Sequence, residues 1–426
     1  MEKEKLEQLG YYLPGFLRLT INSNIDFSDL NKVMTDDKKE FSTFLHEYIH
    51  FLQNITTVHG LYLSIQHIDI ILYAVAKVRR EDEEFIIPVD LSTEVNFLAQ
   101  AALRRLYLGD GNNINAVLYQ AYRSENVKIQ PEAGESFDQN RFIADCINYN
   151  GYTNEKYVIG STAIKEFVAY SIQNKFFLVD SPDTPYKIVD LIISKEVPEL
   201  ADKLDLKIMM CEASLMTFHP AETLFAAIEK LKKAEKIPVN PREIYDFVIA
   251  VRDLNVSKMF DDVYSGVIEK YNHLFQSEIY KGDLHWLKTL LERAKLLRNT
   301  EPDFLIKLVS DSGNLTHYFS EVLDSLGTPF FTNKELKGYF IPPKDIENEP
   351  SQPYLLNAVA EVMHILYGQS SCGMLNFCNQ TEAKPTVNEQ CTRAPWEKMT
   401  DYGLCPFCQI WKTFGLNEKQ PNVKRK

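Results

Sequence analysis

The chain is expected to fold as a mainly helical protein with a small β component, α+β in class. Apolar residues recur at helical spacing through most of the 426 residues, the pattern that amphipathic helices leave. Two stretches read as extended instead. Residues 11–22 form a strand in which Phe16, Leu17, Leu19 and Ile21 alternate imperfectly, and 328–341 form a short hairpin or extended pair. With 45% hydrophobic residues, the chain can bury one large core or two smaller ones.

After the first strand, 23–36 is a polar connection. Asp37-Lys38-Lys39-Glu40 then reads as a capping box, with Asp37 at the N-cap and Glu40 three residues on. Phe41, Phe44, Leu45, Tyr48, Ile49, Leu52 and Ile55 follow at helical spacing, while the other face carries Thr43, His46, Glu47, His50 and Asn54. A second apolar helix covers 61–80, and a third covers 93–108 and is closed by Gly109-Asp110-Gly111. The stretch 124–155, rich in Asn, Gln, Glu, Gly and Ser, reads as a long surface loop. The helix over 160–173 has apolar residues at 164, 167, 168 and 172, with Thr162, Glu166, Tyr170 and Gln173 opposite. Further helices are expected over 188–194, 206–217, 221–235, 241–254, 284–298 and 303–310. The Pro- and charge-rich stretch 342–353 reads as a linker. It divides a domain over 1–341 from a module over 354–426, which holds a helix at 354–368 and a cysteine-rich end.

The polar face of the 41–55 helix contains His46-Glu47-Tyr48-Ile49-His50, the H-E-x-x-H spacing. Residues four apart lie one above the other on a helix, so both imidazoles project from one face. Two imidazole nitrogens so placed can share a tetrahedral Zn²⁺, leaving room for a third protein ligand and a water. Glu47, beside the metal, can take a proton from that water, whose pKa zinc lowers to about 7.

On these residues the stretch 41–54 resembles the zincin superfamily of zinc metallopeptidases, gluzincin-like in type. The resemblance implies a zincin-like catalytic core with a large helical extension, a zinc cofactor, and Glu47 as general base in hydrolysis of a protein or peptide substrate. The metzincin pattern is excluded, because Gln53 and Thr56 stand where it needs Gly and His. In gluzincins a Glu from a helix packed on the first completes the site. Ile164-Lys165-Glu166-Phe167-Val168-Ala169-Tyr170 resembles the E-x-x-A helix that carries it, which makes Glu166 the leading candidate. Asp69 and Glu212 remain alternatives, and Glu212 can instead orient a ligand histidine through its other ring nitrogen. Zincins add a Tyr or His donor to the developing oxyanion; Tyr170 and His219 are the candidates for that role.

A net charge of −13 argues against nucleic acid as the main partner. The charged start, Met1 to Lys5, has no apolar run after it. No uninterrupted apolar stretch approaches the ~20 residues of a membrane span. The expectation is a cytoplasmic protein without a membrane partner. Seven cysteines are too few and too clustered for a disulfide framework. Cys405-Pro406-Phe407-Cys408, joined by two of Cys372, Cys378 and Cys391 (Cys378 and Cys391 foremost), can complete a Cys₄ structural zinc site. The competing reading is a non-catalytic helical interaction or regulatory protein whose only zinc is structural.

Overall fold

A hairpin opens the chain: β1 (Gly10–Leu13) and β2 (Arg18–Ile21) pair antiparallel, so the strand expected over 11–22 is two strands folded at Pro14-Gly15. The computed structural model describes residues 9–81, 83–130, 136–346, 354–380, 387–400 and 405–424. The polar connection that follows holds a short helix, α1 (Leu30–Asp36), capped by the Asp29 carboxylate, which accepts from the Lys32 N–H at 3.1 Å. The expected capping box does not form, since Asp37 makes no side-chain cap bond. Helix α2 (Lys38–Thr56) starts there all the same and is buried at every position from Phe41 to Thr56. Its stability comes from packing rather than from the cap.

The Thr57 hydroxyl accepts from the Gly60 N–H and begins α3 (Val58–Arg80) without a loop. By length and composition α3 is apolar enough to cross a membrane. It packs against α2 and against α10 (Val256–Leu274), a helix in a stretch where none was expected. Strand β3 (Glu84–Ile87) and helix α4 (Val95–Leu108) follow.

The expected surface loop at 124–155 is instead a sheet. β4 (Val117–Ile129), β5 (Phe137–Asn148) and β6 (Thr153–Ile159) pair antiparallel in that order. Its polar composition belongs to a solvated face, as antiparallel sheets allow. Glu125 and Arg141, cross-strand partners in register, pair at 2.6 Å. Val117, Tyr119, Phe142, Ala144, Cys146, Tyr157 and Ile159 bury the opposite face.

From β6 the chain enters α5 (Ser161–Phe176) directly, and α5 lies against α2. Helices α6 (Ile188–Glu196), α7 (Leu204–Ser214), α8 (Pro220–Leu231) and α9 (Pro241–Ile249) follow, then α10, α11 (Lys281–Thr300) and α12 (His317–Leu326). The helix expected over 303–310 is reduced to a 3₁₀ turn at Ile306–Leu308. The extended pair expected near 328–341 is present as β7 (Phe330–Thr332) and β8 (Gly338–Tyr339). Together they extend the first hairpin into a four-stranded sheet of order β1-β2-β7-β8, with β7 parallel to β2.

Of the expected linker, 347–353 lies outside the described residues. Beyond it, α13 (Leu355–Leu366), α14 (Leu375–Gln380) and α16 (Pro406–Thr413) share the core of the preceding chain, with the short α15 (Gln390–Arg393) between the last two. Glu361 of α13 pairs with Arg18 of β2 at 2.8 Å, and β9 (Gln420–Val423) pairs in parallel with β3. The described residues beyond 354 are therefore packed into the body of the molecule, which is held together by contacts across more than 300 residues of sequence.

Candidate metal centre

Helix α2 supplies His46 and His50, one turn apart, and α5 supplies Glu166. The His46 Nε2 lies 3.1 Å from one Glu166 carboxylate oxygen, and His50 Nε2 lies 3.3 Å from the other. The two Nε2 atoms are 3.2 Å apart. Tetrahedral ligands bound about 2.0–2.1 Å from zinc stand about 3.3 Å from one another. Among the described residues this is the group whose ligand atoms converge closely enough to hold a metal ion.

The tautomers of both histidines follow from their partners. Glu212, ion-paired with Arg298 at 2.6 Å, accepts from the Gln53 Nε2 at 2.8 Å. That bond turns the Gln53 Oε1 toward His50, whose Nδ1–H donates to it at 3.1 Å. At His46 the Nδ1–H donates to the Gln173 Oε1 at 3.0 Å. The Gln173 amide nitrogen faces Ser42, whose hydroxyl is already donating to the Lys39 carbonyl. With both Nδ1 atoms carrying the proton, each neutral imidazole presents a lone pair at Nε2. Two lone pairs and a carboxylate aimed at one point repel each other unless a cation stands between them. Such outer partners hold metal-ligating histidines in their tautomer and orientation. Gln173→Leu is expected to weaken metal binding about 10–100-fold while leaving the fold intact, as read by titration against a competing chelator; unchanged affinity would remove Gln173 from the site.

Glu47 is buried and lines the same cleft. Burial pushes its carboxyl above the usual carboxylate range, against the opposing pull of His46 and His50. Strand β1 closes over Glu47 at Gly10, where an added Cβ would stand 2.9 Å from the Glu47 Cγ. The cleft has a volume of about 600 Å³ and runs between β1, α2, α5 and the segment 179–186. Tyr186 lines it, with its ring 6.1 Å from that of His46. Burial, with the carboxylates of Glu166 and Glu47, raises the Tyr186 phenol well above its ordinary value, so it keeps its proton.

The other expected site residues stand elsewhere. Asp69 pairs with Lys270 at 2.5 Å, and Glu212 reaches His50 only through Gln53. Tyr170 packs on Tyr186, ring centroids 5.9 Å apart, and does not line the cleft. The His219 Nε2 bonds the Asn140 carbonyl at 2.7 Å, and its ring packs on Tyr107. Sequence reasoning did not single out Gln53, Gln173 or Tyr186 for a role. The signal for the two glutamines was an amide on the polar face of an otherwise apolar helix.

Cys372, Cys378, Cys391 and Cys405 line one small gap near the C-terminus, beside Lys398. The Lys398 ammonium, 3% exposed, donates to the Cys391 sulfur at 3.1 Å. The Cys408 thiol lies beside Cys405 and also contacts the Pro395 carbonyl at 3.9 Å. The Cys408 thiol beside it pulls the Cys405 thiol down to about 6.

Fold and site together define a mainly helical α+β protein with a His₂Glu group able to hold a metal ion. No protein-family model, curated protein or solved structure matches the chain.

Proposed function

We propose that the protein is a zinc-dependent metallopeptidase of gluzincin-like type, hydrolysing a peptide bond in a protein or peptide substrate. One observation carries the reading. The lone pairs of His46 and His50, their tautomers held by Gln173 and Gln53, meet the Glu166 carboxylate at tetrahedral spacing, with the buried carboxyl of Glu47 in the same cleft. A zinc ion bound there would supply a water of pKa about 7 and polarise the scissile carbonyl. Glu47 takes the proton of the attacking water and passes it to the leaving amine. Tyr186, in place of Tyr170, donates its O–H to the developing oxyanion. β1 is the outer strand of its sheet and lines the cleft, so an extended substrate can pair along it. The free thiols fit a reducing, cytoplasmic setting.

A second, structural zinc is assigned to the thiol gap, held by Cys405 and Cys408 with two of Cys372, Cys378 and Cys391, whose sulfurs converge less closely than the His46, His50 and Glu166 atoms and would draw together on the metal. The Lys398 ammonium offsets part of the charge of four thiolates. The segments carrying these cysteines are short helices and turns, the kind of structure a metal staples.

Elemental analysis is expected to find two equivalents of zinc. His46→Ala/His50→Ala should lose one of them and Cys378→Ser/Cys405→Ser the other. Zinc that is undiminished in the histidine variant and lost only with the cysteines would favour the non-catalytic helical protein instead.

A further inference from the structure

Between α3 and α4 lies a second cavity, of about 320 Å³, that shares no lining residue with the metal cleft. Ile70, Phe97, Ala101 and Leu108 give it an apolar wall. Two polar groups on that wall lack the partners that burial demands. Gln66 is 4% exposed, yet neither its amide oxygen nor its amide nitrogen has a hydrogen bond. The Tyr62 hydroxyl stands beside it, the nearest polar group that acts on it. The Arg104 Nη2 donates to the His67 Nε2 at 2.5 Å, while the buried Nε–H has no acceptor.

His67 cannot balance the guanidinium charge. Burial, with Arg104 beside it, pushes the imidazole down to about 3, so it stays neutral. The Tyr367 phenol and the Lys165 ammonium also act on the charge of Arg104, the second by repulsion. Leaving a buried amide such as that of Gln66 without a partner is costly. Native proteins rarely leave such groups without a partner.

We infer that this cavity is a binding site for a small carboxylate with an apolar body and one amide, of the N-acyl amino acid type. The carboxylate takes the free Nε–H of Arg104, and Arg105 adds positive charge at the lining. The Gln66 amide offers one donor and one acceptor, the complement of a peptide-like group. The apolar side chain rests on Ile70, Phe97 and Leu108. A doubly charged phosphate fits less well, because Leu108 and Gly109 form the C-terminal end of α4, the negative end of its dipole. The same chemistry occurs in a free acylated amino acid and at the C-terminus of a peptide.

The test is calorimetric titration of the full chain with N-acetyl-leucine and, separately, with N-acetyl-leucinamide, which lacks the charge. The acid should bind, and the amide should bind at least about tenfold more weakly, the loss of one charged hydrogen bond. Arg104→Gln should weaken the acid by a similar factor and leave the amide unchanged. The unsubstituted protein alone decides the point if that variant fails to fold. Equal affinity for acid and amide, absence of binding, or acid binding that survives Arg104→Gln in a folded protein would each overturn the assignment. A tetrapeptide ending in leucine separates the sources: binding as tight as the acyl amino acid identifies a peptide C-terminus, and weaker binding identifies the free acid.

Discussion

Glu47→Gln is expected to keep its metal and lose about 10²–10⁴-fold in turnover, the usual contribution of a positioned general base. The amide has nearly the shape of the carboxyl, so the close fit between Gly10 and Glu47 survives the change. It also leaves His46, His50 and Glu166 untouched, together with their bonds to Gln173 and Gln53. What is lost is the ability to accept a proton. Two measurements are needed: zinc content by elemental analysis, and cleavage of a peptide library read by mass spectrometry. Retained zinc with cleavage at the unsubstituted rate would rule out Glu47 as the base, and with it the mechanism.

The second large effect is on stability, at a buried pair behind the metal centre. Arg298 of α11 and Glu212 of α7 are both 1% exposed and are joined at 2.6 Å. Arg298 also donates to the Thr56 carbonyl and hydroxyl at the end of α2 and to the Pro302 carbonyl. Arg298→Met should destabilise the protein by about 3–5 kcal/mol, because it leaves the Glu212 charge buried and unpaired. Urea titration measures this. Removing both partners, as Arg298→Met/Glu212→Leu, should recover part of the loss, since no buried charge then remains. A shift below about 1 kcal/mol in the single variant would mean that Glu212 finds another partner. Glu212 also holds Gln53, and Gln53 holds His50, so the single variant should bind metal more weakly as well.

Much of the metal centre is legible in the amino-acid sequence. His46, Glu47 and His50 lie within one turn of one helix, and local periodicity alone puts both imidazoles on one face. Glu166 is legible in the same way, as a carboxylate on the polar face of a helix able to pack. Asp69 and Glu212 stand beside it as alternatives in the sequence because their partners, Lys270 and Arg298, come from other helices. The sheet at 117–159 reads as a loop because its polar residues belong to one wet face of strands whose pairing is non-local. Asp37 shows the converse: a correct local signature whose cap bond does not form, at a helix that burial stabilises anyway.

The sequence by itself determined the helical class, the α2 ligand face and the cysteine-rich end, since each is written in neighbouring residues. Tertiary structure alone decided which carboxylate meets the histidines, that Gln53 and Gln173 set their tautomers, and that Tyr186 rather than Tyr170 enters the cleft. It also brought Cys372, Cys378, Cys391 and Cys405 to one gap. The physical reason is the same throughout: periodicity assigns a side chain to a face of its own element, whereas packing between distant segments decides what that face meets.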